Sequence, residues 1–201
     1  PPGPISCGSV RPRPSLYWFS QTIGPDRGLE CAIQALPLAR CRPHLHLRGF
    51  LTPSYRARLV ELAQQLGVEQ QLQFHPPAPP EQMETLAAVF DVGLVAETGF
   101  TPNHRIALAN KLFTYALAGI PMLLSDIPAH RDVQNEALIA AQLFQPEDPI
   151  SLAEALDAWL DAPPDVLAQA RAAAYRLGQE RWNWEREQLP LLAAVATAMG
   201  R

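Results

Sequence analysis

The chain has 201 residues, 48% of them hydrophobic and 18% charged, with a formal net charge of -4; this is ample for one packed core and fits one domain better than two. That balance provides no clustered basic surface of the kind phosphate neutralisation requires, so a nucleic-acid partner is not expected. Three cysteines without paired spacing, Cys7, Cys31 and Cys41, indicate neither a disulfide framework nor a zinc site. No run approaches the roughly 18 apolar residues of a membrane span, and no basic-then-apolar leader opens the chain, so a domain in the reducing cytoplasm is expected.

Residues 1–14 are dense in proline and glycine and read as a linker or hinge, leaving residues 15–201 as the folded unit. Short apolar runs then alternate with amphipathic ones, which predicts strands alternating with helices around a mostly parallel sheet. The strands fall at about residues 15–20, 44–49, 71–75, 91–96, 120–125 and 138–144, and the helices at about 27–40, 53–66, 80–90, 104–118 and 128–135. Gly67 should cap the second helix in a left-handed conformation. From about residue 150 the chain turns helical, with Ser151 as a cap, a segment from Asp165 to Leu177 and a last helix from about Trp182; this tail is expected outside the sheet. The fold class is therefore α/β, a Rossmann-like doubly wound sheet of about six strands with C-terminal helices.

In such a sheet ligands bind beyond the carboxyl ends of the strands, so the chemistry is sought in those loops. The segment SQTIGPDRGLE leads from the first strand into the first helix. Its backbone N–H groups face outward, Gly24 and Gly28 permit close approach, and Arg27 either pairs a diphosphate or is an ordinary solvated arginine. The GxGxxG fingerprint is absent, so a nicotinamide or flavin cofactor is not supported. In NHRIALANKLFTYALAGIPMLLSD the helical period places Leu108, Leu112, Phe113, Ala116 and Leu117 on the buried stripe, with Asn110, Lys111, Thr114 and Tyr115 toward the other side. Gly119 caps that helix and Pro121 opens the next strand. This pattern alone leaves a phosphate- or ribose-binding helix and an ordinary amphipathic one both open.

Four segments in order, SQTIGPDRGLE after a strand, HLHLRG, QLQFHPPAPPEQMETLAAVFDVGLV and NKLFTYALAGIPMLLSD, resemble the C-terminal domain of the family-four retaining glycosyltransferases of GT-B architecture. RWNWEREQL resembles that family's closing tryptophan-containing helix. The resemblance implies a nucleotide-diphosphate sugar as donor substrate rather than a cofactor. It also implies an acceptor-binding N-terminal half outside this sequence, through which any peripheral membrane contact would be made and without which the domain would be inactive. Ser20, Gln21 and Gly24 would line the donor phosphates, Arg27 would neutralise them, and Asn110, Lys111 and Leu112 would lie beside the nucleotide. Transfer would be electrostatic, with no metal site and no divalent-ion requirement. Polysaccharide biosynthesis is the expected setting.

At two positions where the family often has glutamates, this chain has Ile106 and Thr114, and neither supplies a carboxylate. Glu97 is either a substitute from the neighbouring loop or a solvated loop charge. His104 and His130 either touch donor or are ordinary packed side chains, His44, His46 and His75 are expected to be packed or capped, and Trp182 and Trp184 are expected to anchor the tail. Two other functions stay open: a non-catalytic nucleotide-sugar-binding or scaffold domain with a degenerate donor site, and a sugar-nucleotide epimerase on the same architecture.

Overall fold

The computed structural model describes residues 13–99 and 101–200. The linker expected over residues 1–14 falls almost wholly outside these, as do Cys7 and the side chain of His104. Six strands, β1 (Ser15–Ile23), β2 (His44–Leu51), β3 (Leu72–His75), β4 (Val92–Val95), β5 (Met122–Ser125) and β6 (Ala141–Phe144), form one sheet in the order β3-β2-β1-β4-β5-β6. Every pairing is parallel. The crossovers are α1 (Leu29–Ala35), α2 (Pro53–Gln65), α3 (Met83–Ala87), α4 (Pro102–Ile106) with α5 (Lys111–Ala118), and α6 (Pro128–Ala137). The tail comprises α7 (Pro149–Leu160), α8 (Pro164–Glu180) and α9 (Trp184–Ala198). The chain winds one way from β1 to β3 and the other way from β4 to β6, so β1 and β4 flank the point of reversal where doubly wound sheets open a crevice.

Strand alternation divides the core between the two faces of the sheet. Leu16, Trp18, Leu45, Leu47, Val92, Leu94 and Leu123 pack with α1, α2 and α7 on one face. Tyr17, Val95, Met122 and Leu124 pack with α3, α5 and α6 on the other. α7 thus completes a layer on the sheet instead of lying outside it, through Leu152, Leu156 and Trp159. Its N-cap is Asp148, whose carboxylate accepts from the backbone N–H groups of Ile150 and Ser151 at 2.9 and 3.1 Å. Ser151, the expected cap, instead accepts from the Gln145 N–H with its hydroxyl. Trp182 anchors the tail by donating to Glu136 at 3.0 Å, whereas Trp184 is largely exposed.

The sheet edges and helix ends also depart from the periodic reading. β1 continues through residues 20–23 after a register shift against β2; there the backbone of Gly49 lies against the Ser20 carbonyl, where a Cβ would come within 2.3 Å. The helix expected over residues 104–118 is two helices, broken at residues 107–110. The break rotates the apolar pattern: Leu108 is 48% exposed, while Tyr115 is fully buried. Residues 138–140 form a short 3₁₀ turn ahead of β6, and Gly67 and Gly119 take the left-handed conformation expected at helix ends.

Tyr115 joins the two halves of the sheet. Its hydroxyl donates to the carbonyl of Tyr17 on β1 at 2.9 Å and, more distantly, to that of Leu94 on β4 at 3.3 Å. Its ring lies flat over Gly93, where a Cβ would sit 2.4 to 2.6 Å from the ring atoms. Gly93→Ala should therefore destabilise the fold by about 1–3 kcal/mol, the usual penalty of overpacking; urea unfolding of the two proteins measures the difference.

Candidate functional site

A cleft of about 730 Å³ opens at the carboxyl ends of the strands, within the size range of small-molecule sites. Its floor is the second half of β1, Phe19, Ser20 and Gln21; Arg27 precedes α1, Arg48 lies within β2, and Glu97 follows β4. One side is the loop after β3 with Met83 of α3; the other is residues 107–110 with Lys111 and Thr114 of α5. The break before α5 lets this segment run along the cleft: Asn110 serves as N-cap in helical backbone geometry, without a side-chain capping bond.

Of the residues singled out from the sequence, Ser20, Gln21, Arg27, Glu97, Asn110, Lys111 and Thr114 line this cleft. Gly24 and Leu112 do not. Leu112 is fully buried in the core beneath α5, and Gly24 has open space around the position a Cβ would take. The close approach is made by Gly28, at φ 67°, whose missing Cβ would meet the Ala96 carbonyl at 2.4 Å. That contact sets the residue before α1 directly against the one that follows β4.

Lys111 is buried, and its ammonium lies 3.4 Å from the Glu97 carboxylate and 5.1 Å from the centre of the Trp18 ring. Burial pushes its pKa down; Glu97 opposes that shift, and the positive charge of Arg27 adds to it. Glu97 is thus neither a solvated loop charge nor an idle carboxylate: it is buried and is the counter-ion of Lys111. Thr114 donates to the Asn110 carbonyl of its own helix at 3.4 Å, and Ile106 is 73% exposed outside the cleft.

Sequence reasoning missed Arg48. Its guanidinium is buried, donating from Nε to the Tyr17 hydroxyl at 2.9 Å and from Nη1 to the Pro76 carbonyl at 2.8 Å. The signal was present, since Arg48 continues the alternating row of His44 and His46 on a strand inside the sheet, and a buried arginine must have a polar destination. The cleft therefore carries Arg27, Arg48 and Lys111 against Glu97, which suits a multiply charged anion. Among the described residues no group of histidines, cysteines and carboxylates is arranged to hold a metal ion, and no helix is long and apolar enough to cross a membrane.

No protein-family model matches the chain, and no curated protein matches it in sequence. Its fold, however, matches solved structures. HepE of Anabaena, in complex with UDP and glucose, superposes with a TM-score of 0.76 at 16% identity over 91% of this chain and 48% of that one. Sucrose-phosphate synthase from Thermosynechococcus elongatus gives 0.74 at 18% identity over 94% and 46%. The C-terminal domain of the group 1 glycosyl transferase LpcC from Francisella tularensis gives 0.69 at 13% identity over 86% and 87%. The fold is that of one half of a GT-B glycosyltransferase. The chain spans about half the length of HepE, 48%.

Three of the histidines, His46, His75 and His130, are held by hydrogen bonds. His46 and His75 are hydrogen-bonded at 2.9 Å and packed on Phe90. His130, fully buried, bonds the Ser125 carbonyl through Nδ1 at 2.8 Å and does not line the cleft. Burial first, then nearby charge, holds His44, His75 and His130 below 6.5, with Ser125 and Glu97 partly opposing the shift at His130. On acidification the unfolded chain takes up these protons first, so stability should fall as pH drops from 6.5 toward the depressed folded values. Urea unfolding between about pH 7.5 and about pH 5.5 should show that decline, shallower in His130→Asn, which keeps a donor for Ser125 without a titrating ring.

Proposed function

We propose that this chain is the donor-binding half of a retaining, family-four-like glycosyltransferase that takes a nucleotide-diphosphate sugar, with its acceptor site in an N-terminal half outside the sequence. The observation that carries the reading is the pair of cations Arg27 and Lys111 beside Ser20 and Gln21 in a cleft at the strand reversal of a GT-B-like fold. The UDP and glucose held by HepE, a protein of the same fold, favour a uridine nucleotide. In this reading the diphosphate lies over Ser20 and Gln21 with Arg27 and Lys111 on its oxygens, and the ribose lies along Asn110 and Thr114.

As the bond between the sugar's anomeric carbon and the diphosphate oxygen breaks, negative charge accumulates on the departing phosphate. Cations fixed in a partly dry cleft stabilise that charge without reorganising, so the proposal assigns the leaving-group role to Arg27 and Lys111 and invokes no divalent ion. Glu97 and Trp18 hold the Lys111 ammonium in place before donor arrives. The sugar acceptor, a glycan, lipid or protein, would meet the donor across the cleft once the second half closes over it.

Calorimetric titration of the 201-residue chain with UDP and GDP should show diphosphate-dependent binding. Arg27→Ala and Lys111→Ala should each weaken it by about 10- to 100-fold, the equivalent of a charge-assisted hydrogen bond. Absence of any nucleotide binding would overturn the proposal. The neutral side chain of Thr114 favours a second reading, a binding or scaffold domain with a degenerate donor site. Thr114→Glu separates the two: tighter UDP binding indicates a ribose contact at this position, and unchanged binding supports the scaffold.

A further inference from the structure

We propose that Arg48 reads the nucleobase, selecting a donor whose base has a carbonyl at pyrimidine C4 or purine C6, as uracil and guanine do, over cytosine and adenine, which carry an amino group there. This rests on the nucleotide-donor reading above and adds a specificity residue to it.

Arg48 differs from the other two cations of the cleft in its surroundings. Lys111 has Glu97 as counter-ion, and Arg27 stands at the strand reversal beside it. Arg48 is only 9% exposed, yet among the described residues it forms no ion pair; its two bonds go to the neutral Tyr17 hydroxyl and Pro76 carbonyl. A guanidinium has five N–H donors, so those left over after Tyr17 and Pro76 remain for the cleft that Arg48 lines. Those donors reach the open cleft, where a ligand's acceptors can replace the water that meets them.

Its position points to the base. Arg48 lies opposite Phe19 of β1 and His75 of β3, two strands away from β4 and Glu97. Two strand spacings are about 9–10 Å, a separation on the scale of that between a diphosphate and the edge of its base. Around Arg48 the cleft wall turns apolar, with Phe19, Pro77, Ala78 and Met83, a surface suited to a flat aromatic ring and not to phosphate oxygens. The fork is held from both sides, by Tyr17 whose ring stacks on Phe90 at 4.2 Å and by the backbone that leaves β3, so its remaining donors have a set direction.

An arginine fork donates and cannot accept. Uracil offers carbonyl oxygens and guanine offers O6 with N7, whereas cytosine and adenine place an amino group where a carbonyl would stand, donor against donor. Such an unpaired contact in a buried site is the repulsive half of specificity.

Calorimetry on the 201-residue chain with UDP, CDP and inorganic pyrophosphate tests this. UDP should bind at least about tenfold more tightly than CDP. In Arg48→Gln the two should differ by less than about threefold, with pyrophosphate affinity unchanged. Should Arg48→Gln fail to fold, the wild-type ratio and Arg48→Lys, which keeps the charge and loses the fork, carry the test. Equal wild-type affinity for UDP and CDP overturns the assignment while leaving the donor site intact. So does a parallel loss of UDP and pyrophosphate binding in Arg48→Gln, which would put Arg48 on the phosphates. If neither UDP nor pyrophosphate binds the wild-type chain, the donor reading falls and the assignment falls with it.

Discussion

β1 and β4 are paired over only two residues, Leu16 with Val92 and Tyr17 with Gly93, and beyond that point the strands part. The carbonyls left facing the gap would be buried and unpaired, which a folded chain rarely tolerates. Tyr115 resolves this by reaching up from α5 and placing its hydroxyl between Tyr17 and Leu94. For the ring to come so close, position 93 must lack a side chain. For α5 to lie there, α8 must pass against it where Gly178 faces the Ala116 backbone, at 2.7 Å from where a Cβ would be. One buried side chain thus ties the crevice to the helix that lines it, and the tail backs that helix through Gly178.

The same parting of strands decides where charge can be buried. Lys111 begins α5 on one face of the sheet, yet its ammonium lies over Trp18, a residue of the opposite face. The parting of β1 and β4 at the strand reversal leaves room for this side chain to pass between the layers. There it is neutralised by Glu97, carried on the loop that leaves β4. Arg48, on a strand with close neighbours on both sides, has no such passage and is held by neutral groups instead. Two buried cations in one cleft thus stand in different electrostatic situations: one has a protein counter-ion, and the other leaves donors for a ligand.

Much of the architecture was legible in the chain because its cause is local and periodic. Alternation of short apolar runs with amphipathic ones identified all six strands, and glycines at 67 and 119 marked helix ends through their left-handed backbone. Most of the cleft was legible too, because residues that end strands or start helices must gather at one edge of a parallel sheet. Where the reading failed, the cause was tertiary. Tyr115 looked like an outward residue on the helical period, but the chain breaks at residues 107–110, and the new helix starts with a different face inward. Ser151 looked like a cap, but Asp148 is nearer the first free N–H groups and carries the charge that suits them.

By itself, then, the sequence determined the α/β alternation, the strand count, the helix-ending glycines and the basic side chains available to the loops, since each follows from the residue's own backbone preference or polarity. The structure adds a defined cleft and Arg48, a third cation lining it, which the sequence reading passed over. Only the tertiary structure decided the strand order, the pairing of Glu97 with Lys111, the exclusion of Gly24 and Leu112 from the cleft, and the isolation of Arg48 among neutral partners. Those facts depend on which distant segments lie side by side, and side-chain environment is a property of neighbours in space that no local spacing encodes.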